Sequence, residues 1–288
     1  MYQKQANEIF LTWAADMLPN KRPSDEEAHR SRSIMQLNYF MEKGAILFEK
    51  GGKLSIVRNT IAENQGTPVS WGLGGGVYVQ STAPWLDANT IVDNVAAVDT
   101  SGYGGGVVII SCAPFTLTNN IIARNDASTY GSGVAIGGPN TGKLAHNTIA
   151  DNELGDGVGV YVEVSGIVEL LSNIIAGHTT GTGIVNGGGD AVLAKYTLFE
   201  NNLTNYSGGV NSTYEVAGPA ALLADYHIAG SSGAIDQAPF LNWVTWDIDG
   251  DLRPLGPKPD VGADEYGSLI RLPLVVRNAH FSRVREPR

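Results

Sequence analysis

Basic residues are scarce in this chain: 19 lysines and arginines stand against 29 aspartates and glutamates, a formal net charge of -10. Binding to a phosphate backbone needs clustered cations, so a nucleic-acid partner is not expected. Cysteine is nearly absent, and the single Cys112 cannot close an intrachain disulfide. It reads as a small buried residue and does not assign a redox compartment. Charge of either sign is low, at 17% of residues, against a usual share of about a quarter. No apolar run approaches the roughly 20 residues of a membrane-spanning helix, so none is expected. The N-terminus also lacks the charged, apolar and small-residue order of a secretory leader.

Glycine is abundant, with 36 residues, and 43% of the chain is hydrophobic, enough for a sizeable core with many tight turns. The dominant signal is internal repetition. Asn59-Thr-Ile-Ala-Glu-Asn64 recurs as Asn89-Thr-Ile-Val-Asp-Asn94, Asn120-Ile-Ile-Ala-Arg-Asn125, Asn147-Thr-Ile-Ala-Asp-Asn152 and Asn173-Ile-Ile-Ala-Gly-His178, in steps of 30, 31, 27 and 26 residues. A glycine-led series alternates with it: Gly74-Gly-Gly-Val-Tyr-Val79, Gly104-Gly-Gly-Val-Val-Ile109, Gly131-Ser-Gly-Val-Ala-Ile136, Gly155-Asp-Gly-Val-Gly-Val160 and Gly181-Thr-Gly-Ile-Val-Asn186.

Both elements are β-branched and bounded by turn residues, hence strands. The repeat is too short for a strand-helix-strand unit, and winding the chain lets equivalent strands stack in parallel. The expected fold is all-β: a right-handed, single-stranded parallel β-helix, a pectate-lyase-like solenoid of about six coils and roughly 30 Å of stack at the usual strand spacing. Asn59, Asn89, Asn120, Asn147 and Asn173 are expected to form an amide ladder and to supply the left-handed conformation of a sharp corner.

From glycine to the next asparagine the spacing is 15, 16, 16 and 18 residues, whereas from asparagine to glycine it shrinks as 15, 15, 11, 8 and 8. Insertions therefore collect on one side, early in the solenoid. Trp71, Tyr103 and Tyr130 end those loops, as a candidate sugar-binding strip or as rings sealing the loops onto the coils. Ser81-Thr-Ala-Pro-Trp85 and Ser111-Cys-Ala-Pro-Phe115 repeat in the other connector, with aromatics expected to pack in a turn. Gly44-Ala-Ile-Leu-Phe48 matches an earlier glycine-led strand, and Tyr196-Thr-Leu-Phe-Glu-Asn201 a degenerate last asparagine strand.

Ile9, Phe10, Trp13, Ala14 and Met17 share a helical face that stops at Pro19, so residues 1–33 are expected to form a helical end cap and linker. The division that follows is 34–200 for the coils, 201–267 for a C-terminal module and 268–288 for an apolar-to-basic tail. That module carries Asp225-Tyr-His-Ile228, Ala234-Ile-Asp236, Asp247-Ile-Asp-Gly-Asp-Leu-Arg253 and Asp260-Val-Gly-Ala-Asp-Glu-Tyr266. On these motifs it resembles the choice-of-anchor Q domain of bacterial surface proteins, and the coils are similar to the β-helix repeats of that family and of polymorphic outer-membrane proteins. The resemblance implies export and display at the cell surface with no defined active site, and a longer N-terminus than this chain has, so truncation is an expectation. Ser232-Gly-Ala-Ile-Asp236 lacks the proline usual in the family's run.

Asp247, Asp249 and Asp251 alternate like the early ligands of a calcium loop, but Arg253 follows where the loop would continue toward a bidentate glutamate. Ion pairing of Arg253 with its acidic neighbours is the simpler reading, with no cofactor expected and calcium as the alternative. Asp151, Glu153, Asp156 and His178 make the best acid-base constellation, as a polysaccharide lyase or glycoside hydrolase on acidic polysaccharide would need. Cations for a lyase are few along the coils. The leading expectation is therefore a non-catalytic, exported surface protein, monomeric, that adheres to or scaffolds extracellular polysaccharide.

Overall fold

The computed structural model describes residues 34–35, 46–49, 53–66, 72–97, 101–164, 166–189 and 191–267. The expected helical cap at 1–33, the tail beyond 267 and Trp71 lie outside the described residues. Within them the chain is a parallel β-solenoid whose three sheets each hold seven strands.

Each coil contributes three strands, one more than the repeats reveal. The first sheet stacks the asparagine strands, such as Thr60–Ala62, Thr90–Val92, Ile121–Ala123 and Thr148–Ala150. The second stacks the glycine-led strands, such as Ile46–Glu49, Val77–Gln80, Val107–Ile110 and Val134–Gly138. The third runs through the Ser-x-Ala-Pro connector, as Lys53–Val57, Ala83–Asp87, Phe115–Thr118, Gly142–Ala145 and Ile167–Leu171. The connector was expected to be a turn, because proline and mixed polarity mask its alternation. Its burial alternates with a period of two, with Leu86 buried and Trp85 exposed, as an exposed sheet face requires.

Register stacks like on like. Ile61, Ile91, Ile122, Ile149 and Ile175 are successive partners, as are Val77, Val107, Val134, Val160 and Ile184. Both files are buried in one continuous core with Leu86, Leu117 and Leu144 from the third sheet. Each isoleucine or leucine removed from water there stabilises the fold by about 1.5–3 kcal/mol. The pairing of Val134 with Val160 and of Val160 with Ile184 also corrects the fourth glycine triplet. It is Gly157-Val-Gly159, not Gly155-Asp-Gly157, and from Gly157 to Asn173 is then 16 residues, as in the two coils before it.

The shared period of the two series has a steric cause. A Cβ on the third glycine of a triplet would sit 3.1 Å from Asn94 Nδ2 at Gly76, 3.0 Å from Asn125 Nδ2 at Gly106 and 3.0 Å from Asn152 Nδ2 at Gly133. The same Cβ would meet the next coil's carbonyl at 2.4–2.7 Å. Glycine is needed there because a buried amide and a neighbouring backbone occupy the space of a side chain.

Those amides form two ladders. In one, the amide groups of Asn59, Asn89, Asn120 and Asn147 each donate to the next coil's asparagine Oδ1, ending on Asn173. In the other, Asn64, Asn94 and Asn125 donate in the same direction, ending on Asn152. Asn89 Nδ2 also donates to the Ile56 carbonyl and Asn120 Nδ2 to that of Leu86, one coil back. The asparagines do not themselves take the left-handed conformation expected of them. The residue before each one does: Arg58, Ala88, Asn119, His146 and Ser172 have φ between 53° and 57°. Such φ values are costly for residues with a Cβ, and the buried amide beside each offsets the cost by fixing the corner.

The solenoid also runs past the expected boundary at residue 200. Thr204–Ser207 extends the second sheet and Asn211–Thr213 the third, so the division falls inside the last coil. The chain then turns back along the outer face of the first sheet. Ala220, Ile228, Ala234 and Val261 bury Ile174 and Leu198, while Tyr226 and Ala263 cover Val92, Ile121 and Ala150. This segment is a flank cover, held by Gly262 N–H to the Ser172 carbonyl and Ala263 N–H to Thr148 Oγ1. Among the described residues no helix is long and apolar enough to cross a membrane.

Candidate functional site

The four candidate acid-base residues each hold a different piece of backbone or side-chain scaffold. Asp156 Oδ1 accepts from the N–H of Ser132 and Val158 and from Ser132 Oγ, and its Oδ2 accepts from the N–H of Gly131. It is the anchor of the third glycine triplet. Glu153 accepts from the Thr179 N–H and hydroxyl in the next coil. Asp151 Oδ2 accepts from the Tyr226 hydroxyl at 3.0 Å, which in turn accepts from Arg124 Nη1 at 2.9 Å. Burial pushes the Asp151 carboxyl up, partly offset by that hydrogen bond. Arg124 also forks onto both oxygens of Asp93 at 2.8 and 2.7 Å, so this group ties the flank cover to the coils.

His178 is the fifth rung of the second ladder. It is fully buried, its Nε2 lies 3.5 Å from Asn152 Nδ2, and its Nδ1 lies 2.8 Å from Asn202 Oδ1. Donation runs one way along the ladder, so the neutral ring with hydrogen on Nδ1 fits. Burial pushes its pKa down to about 4. Each of the three carboxylates is thus held by donors of the scaffold, and Asp151 and Glu153 lie close enough to influence each other's charge.

Tyr103 and Tyr130 do meet, with ring centroids 5.1 Å apart, and Tyr161 from the next coil continues the stack at 4.5 Å. Tyr161 was missed because it is not register-equivalent to Tyr130: it pairs with Ala135 inside the glycine-led strand, so the repeat spacing does not place it in the row. Tyr103, Leu73 and Ile110 pack against Tyr78, Val108 and Ala135 on the outer face of the second sheet. The rings are tilted by 40° and 32° to one another, and all three are partly buried. Burial and Glu163, which accepts from the Tyr161 hydroxyl, push that phenol up to about 12.

The first sheet is covered by the C-terminal segment and the second partly by Leu73 and Tyr103, whereas among the described residues the third sheet keeps an exposed outer file. One file of register partners runs along it: Ser55, Trp85, Thr116, Lys143 and Glu169. Trp85 is 45% exposed. Its Nε1 donates to Thr118 Oγ1 on the neighbouring strand at 3.2 Å, so the indole is pinned along the sheet with a face to solvent. Lys143 Nζ pairs with Glu169 at 3.0 Å and sits 5.9 Å from the ring centre of Trp243, itself 44% exposed. Sequence reading missed this surface because the strand carrying Trp85 was read as a turn and Trp243 arrives from residues remote in sequence.

The C-terminal motifs converge into one buried knot. Arg253 Nη1 donates to Glu265 Oε1 at 2.6 Å and to the Asp260 carbonyl at 3.2 Å, and its Nη2 donates to the Gly262 carbonyl. The expected ion pair is thus made with Glu265. Asp247, the first of the alternating aspartates, organises the turn that follows it. Its Oδ1 accepts from the N–H groups of Asp249 and Asp251 and its Oδ2 from that of Glu265, while Asp249 turns to His227. Burial pushes Asp247 up to about 6 against these donors and the nearby Arg253.

The family described as right handed beta helix region matches residues 44–217. No curated protein matches the chain, and no solved structure matches it.

Proposed function

From the chain's membership of the right-handed β-helix family, we propose that it is a non-catalytic, monomeric solenoid that binds an extracellular polysaccharide along its open third sheet. The observation that carries this reading is the solvent-facing file Ser55–Trp85–Thr116–Lys143–Glu169 with Trp243 beside it. Half-exposed indoles match the apolar faces of sugar rings, and the hydroxyl and charged groups beside them match their hydroxyls. Lys143 and Glu169 neutralise each other, so the strip fits a neutral glycan better than a polyanion, as does the net charge of -10. Export and surface display belong to the same proposal and draw their support from the C-terminal motifs that resemble the choice-of-anchor Q domain.

A glycan array and titration calorimetry test this. Binding to a neutral glycan should weaken about thirty-fold in Trp85→Ala, the loss of a central aromatic anchor, while the melting temperature stays close to that of the parent. Unsaturated products or new reducing ends released from pectin, alginate or the bound glycan would overturn the non-catalytic reading. Unchanged affinity in Trp85→Ala would move binding off this sheet.

A further inference from the structure

We propose that His227, Asp249 and Asp264 form a binding site for a first-row divalent transition-metal ion on the flank cover. The three residues belong to three separate motifs, and the folding of the C-terminal segment brings one ligand atom from each to within 4.8 Å of the others. They are the one such group among the described residues. His227 Nε2 lies 3.1 Å from Asp249 Oδ2, close to the separation of two ligands on a shared ion with bonds of about 2.0–2.2 Å.

Two further features point to an ion rather than to a simple pair. Asp264 is buried, and its Oδ2 is fixed by the Ile228 N–H at 2.9 Å. That hydrogen bond orients the carboxylate and leaves Oδ1 for a ligand, the task outer hydrogen bonds perform at metal centres. His227 Nδ1 is buried without a hydrogen bond and sits 3.3 Å from Asp225 Oδ1. With an ion on Nε2, the Nδ1 hydrogen faces Asp225, giving the carboxylate–histidine–metal order that sets tautomer and basicity. Asp225 is then a positioning residue.

The donor set decides the class of ion. An imidazole with two carboxylates suits zinc, cobalt or manganese, whereas calcium takes six to eight oxygens. Asp249 is exposed, so an ion has a route in from solvent. Once bound, it would cross-link the segments around 227, 249 and 264.

The test uses the full chain after dialysis against chelator. Calorimetry with zinc should show one site per chain, cobalt should give a visible d–d absorption band, and saturating zinc should raise the melting temperature by about 5 °C. His227→Ala should abolish the band and weaken zinc binding at least a hundred-fold, and Asp225→Asn should weaken it about ten- to hundred-fold. Asp264→Asn keeps an oxygen for the Ile228 N–H, so it tests ligation in a folded chain and should also lose the band. No zinc or cobalt binding at millimolar concentration overturns the proposal. So does binding unchanged in both His227→Ala and Asp264→Asn, and so does calcium binding more tightly than zinc.

Discussion

Arg253→Met is expected to destabilise the C-terminal segment by about 3–5 kcal/mol, the cost of leaving a buried charge without its partner. The Arg253 and Glu265 side chains are 1% and 0% exposed. Glu265 is also a backbone organiser, since its Oε1 accepts from the Asp260 N–H at 2.7 Å and its Oε2 from the Leu255 N–H at 3.0 Å. Removing the guanidinium leaves the buried Glu265 carboxylate without its cation and strands the Gly262 carbonyl, while the Asp260 carbonyl keeps His146 Nδ1 at 3.0 Å. The segment should then lift from the first sheet and expose Val92, Ile121, Ala150 and Ile174, now covered by it. Limited proteolysis should cut after residue 217 while the coils stay intact, and urea titration should show an early transition confined to the flank. Replacing both partners, as Arg253→Met with Glu265→Met, should recover part of the loss, because an apolar pair leaves no unpaired charge. A single variant that unfolds within about 0.5 kcal/mol of the parent, the range of ordinary surface changes, would show that the ion pair does not hold the knot.

The same knot shows how much a sequence can reveal here. The asparagine and glycine series are legible because each rung repeats one physical demand, a buried amide beside a glycine that leaves it room. Where that demand slackens, legibility goes with it. Gly155 imitates the triplet glycine two residues early, and only the pairing of Val134 with Val160 exposes the slip. The third strand of each coil carries proline and exposed aromatics and so hides its alternation. The positive φ before each asparagine is invisible because Arg58, Ala88, His146 and Ser172 have no shared chemistry, only a shared position. Asp151, Glu153 and Asp156 cluster in sequence, yet each is taken up by a different partner: Tyr226, Thr179 and the glycine triplet at 131–133. The open sheet and the His227 group depend on how 201–267 folds back, a long-range packing event that no local pattern encodes.

His178→Asn is expected to flatten the acid limb of the stability curve. The folded-state pKa of His178 is pushed down to about 4 by burial, with Asn202 and Glu153 acting in the opposite direction, from an ordinary value of about 6.5. Between those values the unfolded chain binds the proton and the folded chain does not, so stability must fall as pH falls through that window. The loss reaches about 3 kcal/mol by pH 4. Its structural origin is the direction of the ladder: a proton on Nε2 would set an N–H against the Nδ2 donor of Asn152. Asparagine has no such conflict, since Asn94 and Asn125 fill the equivalent place in earlier coils. At neutral pH the variant should unfold within about 1 kcal/mol of the parent, one hydrogen bond more or less. Buried His146 shares the sign of the effect, and Asp247 and Asp260, both raised to about 6 by burial, oppose it. These are common to both proteins, so the difference between their urea-derived stabilities from pH 7 to pH 4 isolates residue 178. Parallel curves would mean that His178 is protonated in the folded coil and that the ladder accepts a donor facing a donor.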